Sequence, residues 1–132
     1  MIIPEVLGWS ARRWPDNECI VEIDAISNKR RSLTYRQFDE RVNMVANALL
    51  DAGIKKGDFV LHFMTNRIEW LEAYFGIIRI GAIVVPLNFR FTGADVKRAV
   101  DVVKPRLVII EDKLTDTIAP IHSSLSTVIG DY

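Results

Sequence analysis

Two hydrophobic rhythms alternate along this chain, and the switches between them lay out its elements. Leu7, Ala11 and Trp14 recur at helical spacing over residues 4–14, where Pro4 suits a first helical turn and Pro15 a stop. Residues 19–24, CIVEID, alternate with period two, with Cys19, Val21 and Ile23 on one face and Ile20, Glu22 and Asp24 on the other. Residues 27–31 then turn the chain, and a brief strand around Ser32 and Leu33 can pair back as a hairpin.

The pattern next lengthens to a helix over 34–52. Thr34 and Gln37 form a capping box, Leu33 and Phe38 stand at the staple positions, and Tyr35, Phe38, Val42, Val45 and Leu49 make a 3,4,3,4 stripe. Gly53 suits the left-handed position that closes such a helix. An apolar strand over 59–64 follows. Asn66, with Glu69 three residues on, is then placed to cap a helix whose Trp70, Leu71, Tyr74, Phe75, Ile77 and Ile78 cover a wide arc and demand layers on both sides.

Residues 81–92, GAIVVPLNFRFT, read as a strand covered on both faces over 83–85, ended by Pro86 and followed by a polar loop with Asn88 and Arg90. Thr92 and Asp95 repeat the capping-box design at the start of a helix from 93 to about 104, and Pro105 stops it. Residues 107–110, LVII, are a buried strand, 113–122 a short weaker helix, and 127–129 a last strand. This succession predicts an α/β fold: a mainly parallel sheet flanked by helices, with a small N-terminal antiparallel hairpin. Ligands of such sheets gather beyond the carboxyl ends of the strands, where Asn88 and Arg90 would lie.

Composition narrows the setting. With 132 residues, 49% of them hydrophobic, the chain encloses one core. Lysine plus arginine balances aspartate plus glutamate at 17 each, so charge points to neither nucleic acid nor an anionic surface. The basic run at Lys29, Arg30 and Arg31 reads as a solvated turn, and Glu22 with Asp24 as a solvated strand edge. One cysteine, Cys19, excludes an intrachain disulfide and fits a reducing compartment. The start carries no basic leader, and the most apolar region, 73–89, is interrupted by Arg79 and Pro86 well short of the 18 or so residues of a span. The expectation is a cytoplasmic protein without a transmembrane segment.

Chemistry is sparse. The glycines match neither GxGxxG nor the Walker pattern, and there is no GxSxG, HExxH or CxxC. The hydroxyl-rich HSSLST at 122–127 has no glycine or lysine and makes a poor phosphate cradle. His62, alternating with Val60 and Met64, reads as a hydrogen-bonded core histidine, since no second ligand has metal-binding spacing. No catalytic or metal-binding residue emerges.

Three segments in order, LTYRQFDERVNMVANALLDAGIKKGDFV, TNRIEWLEAYFGIIRIGAIVVPLNFRFT and RLVIIED, resemble the opening part of the adenylate-forming enzymes, the superfamily of acyl-CoA synthetases, luciferases and peptide-synthetase adenylation domains. The resemblance runs from the PDN at 15–17 to the last strand. It implies that residues 1–132 are the N-terminal portion of a larger AMP-binding domain. It also implies an AMP-forming acid–thiol ligase: a carboxylic acid and ATP with magnesium give an acyl adenylate, and the acyl group passes to coenzyme A. The family's phosphate loop, adenine segment, magnesium carboxylate and catalytic lysine match nothing here. The chain alone is therefore expected to be inactive, to bind none of these cofactors tightly, and to self-associate through uncovered apolar faces.

One contact carries over. In ligases resembling this chain, an arginine after the GAIVVPLN strand can face the coenzyme's nucleotide phosphates; the matching residue is Arg90, with Phe89 in place of the frequent proline. Arg90 also precedes a helix start, which favours an anion, although a solvated loop arginine fits equally. Asn88 and Pro86 read as structural. The alternatives are a freestanding non-catalytic α/β binding or assembly module and a small Rossmann-like nucleotide binder, the latter opposed by the missing glycine fingerprint.

Overall fold

The computed structural model describes residues 2–124 and 128–129. Helix α1 (Ile3–Arg13) leads into an antiparallel hairpin of β1 (Glu18–Ile23) and β2 (Arg30–Thr34), then α2 (Tyr35–Asp51). Strands β3 (Phe59–Phe63), β4 (Ile83–Pro86), β5 (Leu107–Ile110) and β6 (Val128–Ile129) form a parallel sheet in the order β4-β3-β5-β6. Between them run α3 (Ile68–Arg79), α4 (Gly93–Val103) and, after β5, a 3-10 turn (Asp112–Leu114), α5 (Thr115–Ile118) and a 3-10 stretch (Ala119–Ser124). The α/β class, the hairpin and the parallel sheet are as the pattern predicts. The weak helix expected over 113–122 is broken into these three pieces, and the last strand is described only at Val128 and Ile129.

The period-two pattern of β3 and β5 divides the core. Val60, Met64, Leu107 and Ile109 face α2 and α3, packing on Val45, Leu49, Ala73 and Ile77. Leu61, Phe63, Val108 and Ile110 face α4 and α5, packing on Val96, Val100 and Ile118. A third cluster, Leu7, Phe38 and Val42, joins α1 to the hairpin through Cys19, Ile20 and Leu33.

Local chemistry sets the helix ends. Thr34 Oγ1 accepts the Gln37 amide at 3.2 Å, and Gln37 Oε1 accepts the Thr34 amide at 2.9 Å, the capping box expected. At the other end Gly53 takes φ +83°, which lets the Ile54 amide return to the Leu49 carbonyl at 3.0 Å while both side chains enter the same cluster. Where α2 crosses α3 the backbones approach so closely that a Cβ on Gly76 would lie 2.5 Å from Val45 Cγ1.

Five expectations change. The 83–85 run is not covered on both faces: β4 is the sheet's edge strand, with Ile83 44% exposed. In the hairpin, Glu18 pairs with Thr34 and Ile20 with Leu33, so Cys19 is the extra residue of a bulge. The bulge breaks the alternation, so Cys19 and Ile20 both pack inward while Val21 and Ile23 are exposed. Arg30 and Arg31 lie in β2 rather than a turn, which instead runs through Asn28 at φ +54°. Helix α1 buries Leu7 and Ser10, and Trp14, past the helix end at φ −135°, ψ 57°, leaves that face and stays exposed. His62 is fully buried against Trp70, with ring centroids 4.8 Å apart, but neither ring nitrogen has a hydrogen-bond partner among the described residues. Burial alone pushes its pKa down to about 4 and keeps it neutral.

Candidate functional site

The topology opens the sheet at one place. The chain leaves β3 towards the α3 face, whereas it leaves both β4 and β5 towards the opposite face. Loops therefore part on each flank of the carboxyl end of β3, the arrangement in which open α/β sheets bind ligands.

On the β5 flank lies a polar cleft of about 430 Å³, lined by the hairpin turn, Thr65, Asn66, Arg67, Glu111 and Lys113. Glu111, the first residue past β5, is 4% exposed. It accepts the Thr65 amide at 2.8 Å and the Thr65 hydroxyl at 2.6 Å, and pairs with Lys113 at 2.8 Å and Arg67 at 3.3 Å. Arg67 Nε also donates to Glu69 at 2.7 Å; Glu69 pairs with Arg31 at 2.9 Å, and Arg31 with Glu22 at 2.8 Å. Glu22 then accepts the Ile68 amide at 2.7 Å, which caps α3.

The capping of α3 corrects the expectation for Asn66: the helix cap is Arg67, which offers no side-chain cap bond, and Glu22 reaches across from the hairpin to take the first amide. Glu22 is thus not a solvated edge carboxylate, and Arg31 is not a solvated turn cation. Asp24 does serve a turn, accepting the amides of Ile26 and Ser27 at 2.8 and 2.7 Å.

The electrostatics follow from this pairing. The Arg31 bond, reinforced by Arg67, outweighs burial and brings the Glu69 carboxyl down to about 2. Burial pushes Glu111 up, but the bonds from Lys113 and Thr65 together outweigh it and bring it down to about 2. Glu22 is lowered chiefly by Arg31, with the Ile68 amide adding to it. All three carboxylates stay ionised at neutral pH and have no proton to donate as general acids. Their oxygens are committed to three cations and to backbone amides, so the cluster is a self-neutralised latch between hairpin and sheet. Among the described residues no group of three His, Cys, Asp or Glu side chains is placed to hold a metal ion.

On the β4 flank stands the loop of Arg90. Pro86 lies opposite His62 in the register, the Leu87 amide donates to the His62 carbonyl at 2.8 Å, and Asn88 Oδ1 accepts the Arg90 amide at 2.9 Å, holding the loop as expected. Arg90 is exposed, its guanidinium 5.5 Å from the centroid of the Phe89 ring, and has no ion pair among the described residues. The start of α4 is already occupied by its own acid: Asp95 accepts the Thr92 amide at 3.0 Å and pairs with Arg98. The helix start therefore adds little for an outside anion, and Arg90 itself is what the loop offers.

Sequence reasoning missed Arg31, Arg67, Glu69 and Glu111 as a unit. The signal available was position: Thr65 and Glu111 are the residues just beyond two adjacent parallel strands.

The family whose sequence pattern matches this chain, over residues 7–130, is described as AMP-binding enzyme. The chain belongs to this family. Among its relatives, a medium/long-chain-fatty-acid–CoA/3-oxocholest-4-en-26-oate–CoA ligase of Mycobacterium marinum is 44% identical over 69 residues, 52% of this chain and 12% of that protein. An L-2-aminoadipate reductase of Schizosaccharomyces pombe is 32% identical over 113 residues, 83% of this chain and 8% of that protein. A solved fatty acyl CoA synthetase of Mycobacterium tuberculosis superposes with a TM-score of 0.86 at 25% identity, over 98% of this chain and 26% of the other. The chain thus spans about a tenth of the length of these curated relatives.

Proposed function

We propose that this chain is the opening portion of the AMP-binding domain of an AMP-forming acid–thiol ligase, in which a carboxylic acid is activated by ATP and the acyl group passes to coenzyme A. What carries the reading is the conjunction of the family match over residues 7–130 with the ligase relative and the fatty acyl CoA synthetase fold. The relatives' names favour a fatty or other carboxylic acid as substrate, and the single cysteine fits a reducing compartment such as the cytoplasm.

Among the described residues the carboxylates of the cleft are already paired and no group of His, Cys, Asp or Glu side chains is placed for a cation, so they do not fit magnesium. Activation is therefore assigned to residues outside this chain, and residues 1–132 alone are inactive. What the chain contributes is the sheet, the latch that fixes its carboxyl edge, and Arg90. An exposed arginine without an ion pair among the described residues, beside a ring that restrains its guanidinium, fits a phosphate of the coenzyme. The edge strand β4, its exposed Ile83 paired with the exposed Phe59 of β3, makes the isolated chain self-associate.

A second reading, a freestanding non-catalytic binding or assembly module, is favoured by the self-neutralised cleft. The two separate on the complete protein. A ligase exchanges pyrophosphate into ATP only when a carboxylic acid is present and releases AMP when coenzyme A is added; a protein that does neither with fatty and aromatic acids is the module.

A further inference from the structure

Helix α1 carries two stripes. Leu7 and Ser10 face inward, where Leu7 packs on Phe38 and Val42. Ile2, Val6, Trp9 and Arg13 recur at steps of four, three and four and so form a second stripe. Among the described residues nothing covers that stripe: Ile2 is 62% exposed, Val6 44% and Trp9 43%. Trp14, also 43% exposed, extends it, its ring edge-on to Trp9 with centroids 5.2 Å apart.

The charge on this surface has one sign available. Arg12 and Arg13, both exposed in the last turn of α1, have no ion pair among the described residues. The helix's own acid, Glu5, is turned back to accept the Ile2 amide at 3.1 Å. Exposed tryptophans and aliphatic side chains interleaved with free arginines are the composition of a helix that lies in a membrane interface, its rings at headgroup level and its cations against anionic headgroups. The surface is the convex outside of a helix, not a groove for a peptide. A second copy docked across a two-fold axis would set the arginines of one α1 near those of the other.

We infer that the outward stripe of α1 docks this protein on an anionic lipid bilayer, with Ile2, Val6, Trp9 and Trp14 in the interface and Arg12 and Arg13 towards the headgroups. This surface seating is separate from spanning: no helix of the described residues is long and apolar enough to cross a membrane. It does not depend on the ligase reading.

Flotation of the complete protein with vesicles tests it. Expected is binding to phosphatidylcholine vesicles containing phosphatidylglycerol, loss of binding at high salt, and little binding to phosphatidylcholine alone. The variant Val6→Ser/Trp9→Ser lowers partitioning about tenfold or more, and Arg12→Glu/Arg13→Glu lowers it to the level seen with phosphatidylcholine; circular dichroism and an unchanged melting midpoint show that each variant is folded. As a readout on the unaltered protein, lipids brominated near the headgroup quench tryptophan emission on binding. Absence of binding to the anionic vesicles overturns the inference. So does equal binding by wild type and the folded Val6→Ser/Trp9→Ser variant, or a dimer that the variant abolishes without any vesicle binding.

Discussion

Glu22 and Ile68 stand 46 positions apart in the chain, yet the Glu22 carboxylate accepts the first amide of α3 at 2.7 Å. The hairpin therefore supplies the anion that the positive end of α3 needs, and Arg31 on the neighbouring strand holds that carboxylate in place.

Replacing Glu22 with Gln keeps the shape and removes the charge. The expected cost is about 1–2 kcal/mol, from one charge at a helix start and one charge-assisted bond, a fall in Tm of roughly 3–8 °C. Calorimetry at neutral pH checks it. Because the folded carboxyl is lowered, its contribution is full above the unfolded pKa of 4.5 and fades as pH falls through the folded value, so wild type and variant converge in acid.

At the crossing of α2 and α3, Gly76→Ala drives a Cβ into Val45, whose Cγ1 and Cβ lie 2.5 and 2.8 Å from the added atom. Overpacking of this kind costs about 1–3 kcal/mol, net of the better helix propensity of alanine. Urea denaturation should show a lower midpoint with an unchanged slope, and adding Val45→Ala should recover part of the loss that Gly76→Ala causes. Independent, additive losses from the two changes would contradict the steric explanation.

His62 makes stability depend on pH. Its folded pKa of about 4 lies below the ordinary 6.5, so between those values the unfolded chain binds a proton that the folded one does not. Stability is full above pH 6.5 and falls by roughly 3 kcal/mol as pH drops to 4. Glu69 and Glu111, each lowered from 4.5 to about 2, add a second loss between those values. His62→Phe should remove the first stage, leave the second, and match or exceed wild-type stability at pH 5, since a buried ring whose nitrogens have no hydrogen-bond partner among the described residues is replaced by an apolar one. Denaturation midpoints across pH distinguish the stages.

What the sequence made legible was local. The capping boxes at Thr34 with Gln37 and at Thr92 with Asp95, the left-handed Gly53, and the buried strand at 107–110 each depend on residues within a few positions of one another. What escaped was set by distance. The edge position of β4 follows from the order in which crossovers lay strands beside β3, and a run of Ile and Val reads alike in a central strand and at an edge. The Cys19 bulge depends on pairing with the partner strand. Asn66 and Glu69 make a plausible local cap for α3, but Glu22 wins it from the hairpin, leaving Glu69 to Arg31 and Arg67. The expected Arg90 loop is present, whereas the latch beside it joins Glu22, Arg31, Arg67, Glu69 and Glu111 from separate segments and has no motif.

The functional claim turns on the two half-reactions of the complete protein carrying Arg90→Ala. If Arg90 holds a phosphate of coenzyme A on a ligase scaffold, acid-dependent exchange of pyrophosphate into ATP persists near the wild-type rate while the KM for coenzyme A rises about tenfold, the worth of one charge-assisted contact to phosphate. An equal loss in both half-reactions, or an unchanged KM for coenzyme A, would contradict that account.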